Sequence, residues 1–350
     1  MGAGDCTFSI EVRRSDGALA GVSDAGLQSC IDDAWLRGVQ AGQLPNDGEL
    51  PALRVVPTWH DAQRPAITGL SLSLAGGAER QYSREVFSTE AGALIQRLRN
   101  DGRVADGEKV SWSAIAREPE PTEPRRTVRT KRVPFPLRPA SLPDVAMGAY
   151  EICIDAATLR RLRERIGRTR SVEGAELLVG HLLHDARRGA LKLHVCDALP
   201  LEPGRGGSSN THFSFDPVAT AAARRRTLER EDGAEPCGWH HNHNPCEGCW
   251  EHPDCQVDWV FFSEDDGQVH ATLFSGPHMV ALVGGKLGEL PAHRPGFRLY
   301  GWREGQVVER PFRVVGDGAE EWDSERNTFR DEPVAPQDSA MIDVTEDATR

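Results

Sequence analysis

Along the first third of the chain, hydrophobic and polar positions follow two different rhythms. FSIEVRR (8–14), ALRVVPTW (52–59) and GLSLSL (69–74) carry apolar residues at nearly every second place, the period of a strand with one face buried. DAGLQSCIDDAWLRGV (24–39) instead spaces Leu27, Ile31, Trp35 and Val39 four apart. That places them on one face of a helix, with Asp24 as the expected cap. EAGALIQRLR (90–99) predicts a second helix and EKVSWSAIA (108–116) a last strand. Residues 1–117 therefore predict a small α+β domain of unknown role. Its lone histidine, His60, reads as an ordinary surface or half-buried residue.

The periodicity then stops. Residues 118–147 are rich in proline and arginine and predict a partly extended linker. A second patterned region covers 148–316. YEICI is a strand, and DAATLRRLRERIG is a helix with Leu159, Leu162 and Ile166 on one face and Asp155 as its cap. AELLVGHLL and ALKLHVCDAL are strands. DPVATAAARRRTLERE is a helix with Pro217 in its first turn, MVALVGG is a short apolar strand, and FRLYGWREGQVVERPFRVV reads as a hairpin. From residue 317 to 350 the chain is acidic and poor in apolar residues, which predicts a disordered tail.

Composition narrows the function classes. The net charge of the 350 residues is −12, and the stretch from Asp317 onward, with eleven acids against three arginines, carries −8 of it. The body is nearly neutral, so nucleic acid is not the expected main partner. No apolar run is long enough to span a membrane, and MGAGDCTFSI lacks the features of a signal peptide or a myristoylation signal, so a cytoplasmic location is expected. Eight cysteines in such a chain are not expected to pair as disulfides. Cys6, Cys30, Cys153 and Cys196 lie in apolar surroundings and read as buried small hydrophobes. Cys237, Cys246, Cys249 and Cys255 are clustered.

The chemistry concentrates in GWHHNHNPCEGCWEHPDC (238–255). His241 and His243 are two apart, so on an extended segment their imidazoles point the same way and can grip one ion. A catalytic zinc takes three protein ligands and keeps one position open. Downstream lies SEDD (263–266), where Ser263 can cap a helix and Asp266 falls in its first turn, placed to complete a His-His-Asp set. Asp258 and Asp265 are the competing acids. Asp266 is preferred because it keeps an SxxD spacing from Ser263.

EGAELLVG (173–180), then GWHHNH, then SEDD, in this order, resembles the JAMM metalloproteases, also called JAB or MPN+ proteins. Their pattern is a Glu, a strand ending in Gly seven residues later, HxH, then SxxD. The resemblance covers about residues 148–315. It implies an α/β fold, a JAB/MPN-like mixed sheet flanked by helices, here preceded by a separate small α+β domain. It also implies a zinc-dependent isopeptidase or protease that removes or processes a ubiquitin-like protein modifier. In that reading His241, His243 and Asp266 hold the zinc, which brings the bound water's pKa toward neutrality. Glu173 is the general base and later the acid, and Ser263 donates to the oxyanion. The implied partners are a ubiquitin-like protein or its conjugates and the cognate activating or conjugating enzymes. The other readings are a non-catalytic MPN-type scaffold and a peptidase acting on a small sulfur-carrier tail.

The sequence departs from the family's pattern in three places. Asn242 stands where a Ser is usual, Asn244 where a Pro is usual, and the stretch between His243 and Ser263 is about a dozen residues longer. The extra length is a Cys-rich insertion, 244–260. Cys246 and Cys249 have the spacing of a zinc knuckle, Cys255 follows, and Cys237 or His252 is the fourth ligand of a possible structural zinc. A loop this short and polar has no core of its own, so a bound metal would order it.

Overall fold

The computed structural model describes residues 6–60, 65–117, 132–168, 173–208, 213–243, 256–288, 290 and 295–330. Its N-terminal third runs β1 (Thr7–Arg14), β2 (Leu19–Ala25), α1 (Gln28–Gln40), β3 (Leu53–Trp59), β4 (Ile67–Leu74), β5 (Arg80–Ser83), α2 (Ser88–Asn100) and β6 (Val110–Arg117). Two three-stranded antiparallel sheets result, in orders β2-β1-β6 and β3-β4-β5, linked by a bridge between Ala66 and Ile115. The alternating patterns explain them: Phe8, Ile10 and Val12 of β1 are buried while their neighbours are not. Asp24, expected as a helix cap, instead lies in β2, paired with Ser9. Helix α1 starts at Leu27 with no side-chain cap, held by its buried face, which includes Cys30, Trp35 and Val39.

The remainder runs β7 (Leu137–Pro139), β8 (Tyr150–Asp155), α3 (Ala156–Arg168), β9 (Ala175–Asp185), β10 (Ala190–Leu201), β11 (Pro203–Ser208), β12 (Phe213–Phe215), α4 (Pro217–Leu228), β13 (Glu235–His243), α5 (Glu264–Leu273), β14 (Val280–Gly285), β15 (Gly296–Arg303), β16 (Gln306–Arg310), β17 (Arg313–Val315), β18 (Trp322–Asp323) and β19 (Thr328–Phe329). A nine-stranded mixed sheet dominates, in order β16-β15-β14-β13-β9-β10-β8-β17, with β7 pairing onto β9. Its central strands read as near-continuous apolar runs because both faces are covered. All six residues of β14 are buried. Helix α3 covers one face through Leu159, Leu162 and Ile166. Helix α4 starts as its sequence predicts, with Asp216 accepting from Val218 N at 2.8 Å and Pro217 in the first turn. Asp155, expected as the cap of α3, places a carboxylate oxygen 2.7 Å from His194 Nε2.

The N-terminal region is not set apart from the rest. One hydrophobic core runs from Ile10 and Trp35 through Phe135 to Leu178, Leu193 and Phe297. The Trp35 and Phe135 rings are 4.4 Å apart. The buried Gln40 amide donates to the carbonyls of Gly148, Ala149 and Gly189 at 2.9–3.1 Å. Residues 132–147, assigned to the linker, are therefore part of the fold: Phe135, Leu142 and Val145 are buried, and β7 adds to the sheet. The proline-rich composition is compatible with this because β7 is three residues long and ends on Pro139, where no amide is needed. The tail expected to be disordered from 317 is folded as far as 330. Trp322 and Phe329 pair across β18 and β19 and are buried, and the Arg160 guanidinium sits 5.0 Å from the Phe329 ring centroid. Residues 118–131 and 331–350 lie outside the described residues.

His278, just before β14, is 6% exposed and its Nδ1 has no hydrogen-bond partner. Burial holds its imidazole down to about 4. The unfolded chain takes up this proton below about pH 6.5, whereas the folded chain resists it until about pH 4. Its share of stability is thus intact above pH 6.5 and is lost as pH falls toward 4, by on the order of 3 kcal/mol. Thermal melts between pH 7 and 4 are expected to fall more steeply for the wild type than for His278→Gln. Parallel pH slopes would remove this group from the account.

Candidate metal centre

Strand β13 lies inside the nine-stranded sheet, antiparallel to β9 and parallel to β14. Its last residues are His241, Asn242 and His243, and the two-residue period of a strand turns both histidines to one face. Both are buried, at 1% and 7% exposed. His241 Nε2 is 2.9 Å from His243 Nε2 and 3.1 Å from Asp266 Oδ1, and His243 Nε2 is 3.6 Å from Asp266 Oδ2. Ligand atoms from the three residues lie within 4.8 Å of one another. Asp258 does not join them. It pairs with Arg298 Nη2 at 2.6 Å and accepts from Val260 N at 2.9 Å, while Asp265 is exposed.

The surroundings orient each ligand. His243 Nδ1 is 3.0 Å from the Trp259 carbonyl, which can only accept. That nitrogen therefore carries a proton, and Nε2 is the nitrogen turned toward Asp266. His241 stacks on Trp239, with ring centroids 4.4 Å apart and planes 13° from parallel. Trp239 Nε1 in turn donates to His270 Nδ1 at 3.2 Å. Asp266 sits in the first turn of α5 in a reciprocal cap. Its amide donates to Ser263 Oγ at 3.1 Å, and its Oδ2 accepts from Ser263 N at 2.8 Å. The Ser263 hydroxyl accepts in this cap, so the cap does not use its own hydrogen.

Charge follows geometry. Burial opposes the Asp266 carboxylate, but His241, His243 and the Ser263 amide outweigh it and hold the group far below the usual carboxylate range. Burial pushes His241 down against the pull of Asp266, which favours the neutral, ligating form. Glu173 is 6% exposed, and burial pushes its carboxyl up to about 7, with His243 opposing and Asp266 adding to the rise. Two bonds tie Glu173 to this site through its neighbour. Asn242 Oδ1 accepts from Gly174 N at 2.8 Å, and Asn242 N donates to Gly174 O at 3.2 Å. On the opposite face of β13, His240 Nδ1 lies 2.6 Å from Glu176 Oε2, and Arg165 donates to Glu176 Oε1 at 3.0 Å, so the strand is backed by a buried charged network.

Two groups among the described residues could hold a metal ion: His241, His243 and Asp266; and His181, Cys196 and Asp232. The donor set of the first fits a zinc ion, with two imidazole lone pairs and one carboxylate converging on a buried point. The structure thus places Glu173, His241, His243, Ser263 and Asp266 near one another. Cys246, Cys249, Cys255 and His252 lie outside the described residues. Cys237 is a core residue of β13, 3% exposed, and burial pushes its thiol up. Cys196, read as a small hydrophobe, is instead half-buried beside His181. Sequence reasoning missed the positioning by Trp259 and Trp239, whereas the Asn242 amide supports the neighbouring backbone at Gly174 as its place between the histidines allows. For Trp239 the signal was present, since its place on β13 sets it on the face of His241.

No helix of the described residues is long and apolar enough to cross a membrane. No family model matches the chain, and no curated protein matches it. Among solved structures, the chain is similar to the solution structure of protein DSY2949 from Desulfitobacterium hafniense, with 17% identity and a TM-score of 0.33, over 47% of this chain and 94% of that one.

Proposed function

We propose that the chain is a zinc-dependent isopeptidase of the JAMM type, acting on a ubiquitin-like protein modifier or its conjugates. The observation that carries this reading is the convergence of His241, His243 and Asp266 within 4.8 Å beside a buried Glu173. A zinc ion held by these three residues would act as a Lewis acid and make water nucleophilic near neutral pH. Glu173 accepts the proton as the water oxygen adds to the scissile carbonyl carbon. The same carboxyl then delivers that proton to the amine nitrogen as the C–N bond breaks. A carboxyl whose burial places it near 7 suits both transfers. The Ser263 hydroxyl donates its hydrogen to the oxygen that gains negative charge.

Apolar surface at the rim supports an extended peptide as substrate. Phe261 is 45% exposed with its ring 4.7 Å from that of His243. The test is incubation of the full chain with modifier fusions and isopeptide-linked conjugates, with and without a chelator. Scission after the modifier's C-terminal residue that stops on chelation is expected. Absence of cleavage, or cleavage indifferent to the chelator, would defeat the reading.

Asn242→Ala probes the tie to Glu173. The variant is expected to keep its metal and lose roughly tenfold or more in turnover, because the segment carrying the base loses a hydrogen bond and small misplacements are costly. Unchanged kinetics would show that the base is placed without that bond.

A further inference from the structure

A second cluster lies away from the site just described. Strands β9 and β10 pair with His194 opposite His181 and Val195 opposite Gly180, and the register then slips before Asp197. Cys196 is the extra residue of a β-bulge, a device that re-aims a side chain. The strands approach closely here: a Cβ on Gly180 would stand 2.2 Å from the His194 carbonyl oxygen. The turn between α4 and β13 brings in Asp232, and ligand atoms of His181, Cys196 and Asp232 lie within 4.8 Å of one another.

Each member is prepared for this. His181 Nδ1 is buried with no hydrogen-bond partner. Burial and the nearby Arg138 keep the ring's pKa below its usual value, so it is neutral at pH 7. The Asp232 carboxylate is oriented by Arg230, which donates to both oxygens at 3.0 and 2.7 Å, and by Ala234 N at 3.0 Å. Oδ1 accepts two of these bonds and Oδ2 one, so Oδ2 keeps a lone pair for a cation. Arg230 is also paired with Asp197 at 2.7 Å, and Arg138 donates to the Asp232 and Gly233 carbonyls. Arg230 thus faces two carboxylates, and the Arg138 guanidinium is held by backbone carbonyls. The Cys196 sulfur makes one long contact, 3.6 Å, to the Val179 carbonyl.

We propose that His181, Cys196 and Asp232 form a second zinc site, at the entry to β13. One nitrogen, one sulfur and one carboxylate oxygen suit Zn²⁺ and do not suit Mg²⁺ or Ca²⁺, which prefer all-oxygen sets. Binding releases the Cys196 proton to solvent. Three protein donors leave a fourth position for water or an added ligand, and the exposure of Asp232 makes it reachable. The ion ties the turn before β13 to β9 and β10, at the end of β13 opposite His243 and roughly 25 Å from it along the strand. This site does not depend on the function proposed for the His241–His243–Asp266 centre.

The test follows alkylation of Cys196 in the full chain by iodoacetamide, read by peptide mass spectrometry with and without added Zn²⁺. Zinc is expected to slow labelling of Cys196 about tenfold or more, because a ligated thiolate is masked. The protection is expected to persist in Asp266→Ala, which disables the other centre, and to vanish in His181→Ala and Asp232→Asn. Equal labelling rates with and without zinc in the wild type would overturn the proposal with no variant needed. So would protection that disappears in Asp266→Ala yet survives in His181→Ala.

Discussion

Glu173→Gln is expected to lower turnover by roughly 10²–10⁴-fold while the zinc content stays at the wild-type level. The amide has nearly the shape of the carboxyl, so the site's packing is kept, but it cannot take a proton from water near neutral pH. The metal ligands are untouched, because His241, His243 and Asp266 contact one another and not through Glu173. Metal analysis and steady-state kinetics on the same preparation separate the two effects. A variant that cleaves at near the wild-type rate would mean that another group moves the proton.

Asp266→Ala is expected to remove the metal at this centre and to weaken the start of α5. The carboxylate lies against both histidines and also accepts from Ser263 N in the cap. Losing this half of the cap costs about 1 kcal/mol or less, because Ser263 Oγ still accepts from the amide at 266, and is seen as a lower Tm even in metal-free protein. Losing the ligand abolishes activity at ordinary zinc concentrations. Asp258→Ala is the control, since Asp258 is committed to Arg298 and the Val260 amide. If Asp258→Ala sheds the metal and Asp266→Ala keeps it, the ligand set is wrong.

The elements that alternate, recur at helical spacing or form a short apolar run were legible from the sequence, among them β1, α1, α3, β9 and β14, and the face shared by His241 and His243 followed from spacing alone. The parts that escaped depend on partners distant in sequence. Gln40 looks like an ordinary polar helix residue until three carbonyls from residues 148, 149 and 189 converge on it. Phe135 stands amid prolines and basic residues, with no periodic neighbours to mark it as core, yet it packs on Trp35. Trp322 and Phe329 are two apolar residues in an acidic stretch, too few to register as a pattern, and a short hairpin buries both. Cys196 escaped for another reason. Simple alternation does not announce a bulge, so its meeting with His181 and Asp232 appears only in the folded chain.

The central claim is that His241, His243 and Asp266 hold a zinc ion. Its most direct test is anomalous diffraction at the zinc edge from crystals of the full chain grown with Zn²⁺. The account predicts a peak among His241 Nε2, His243 Nε2 and the Asp266 carboxylate, absent from crystals of Asp266→Ala. A wild-type map with no anomalous density between those three side chains, from zinc-supplied crystals, would contradict it.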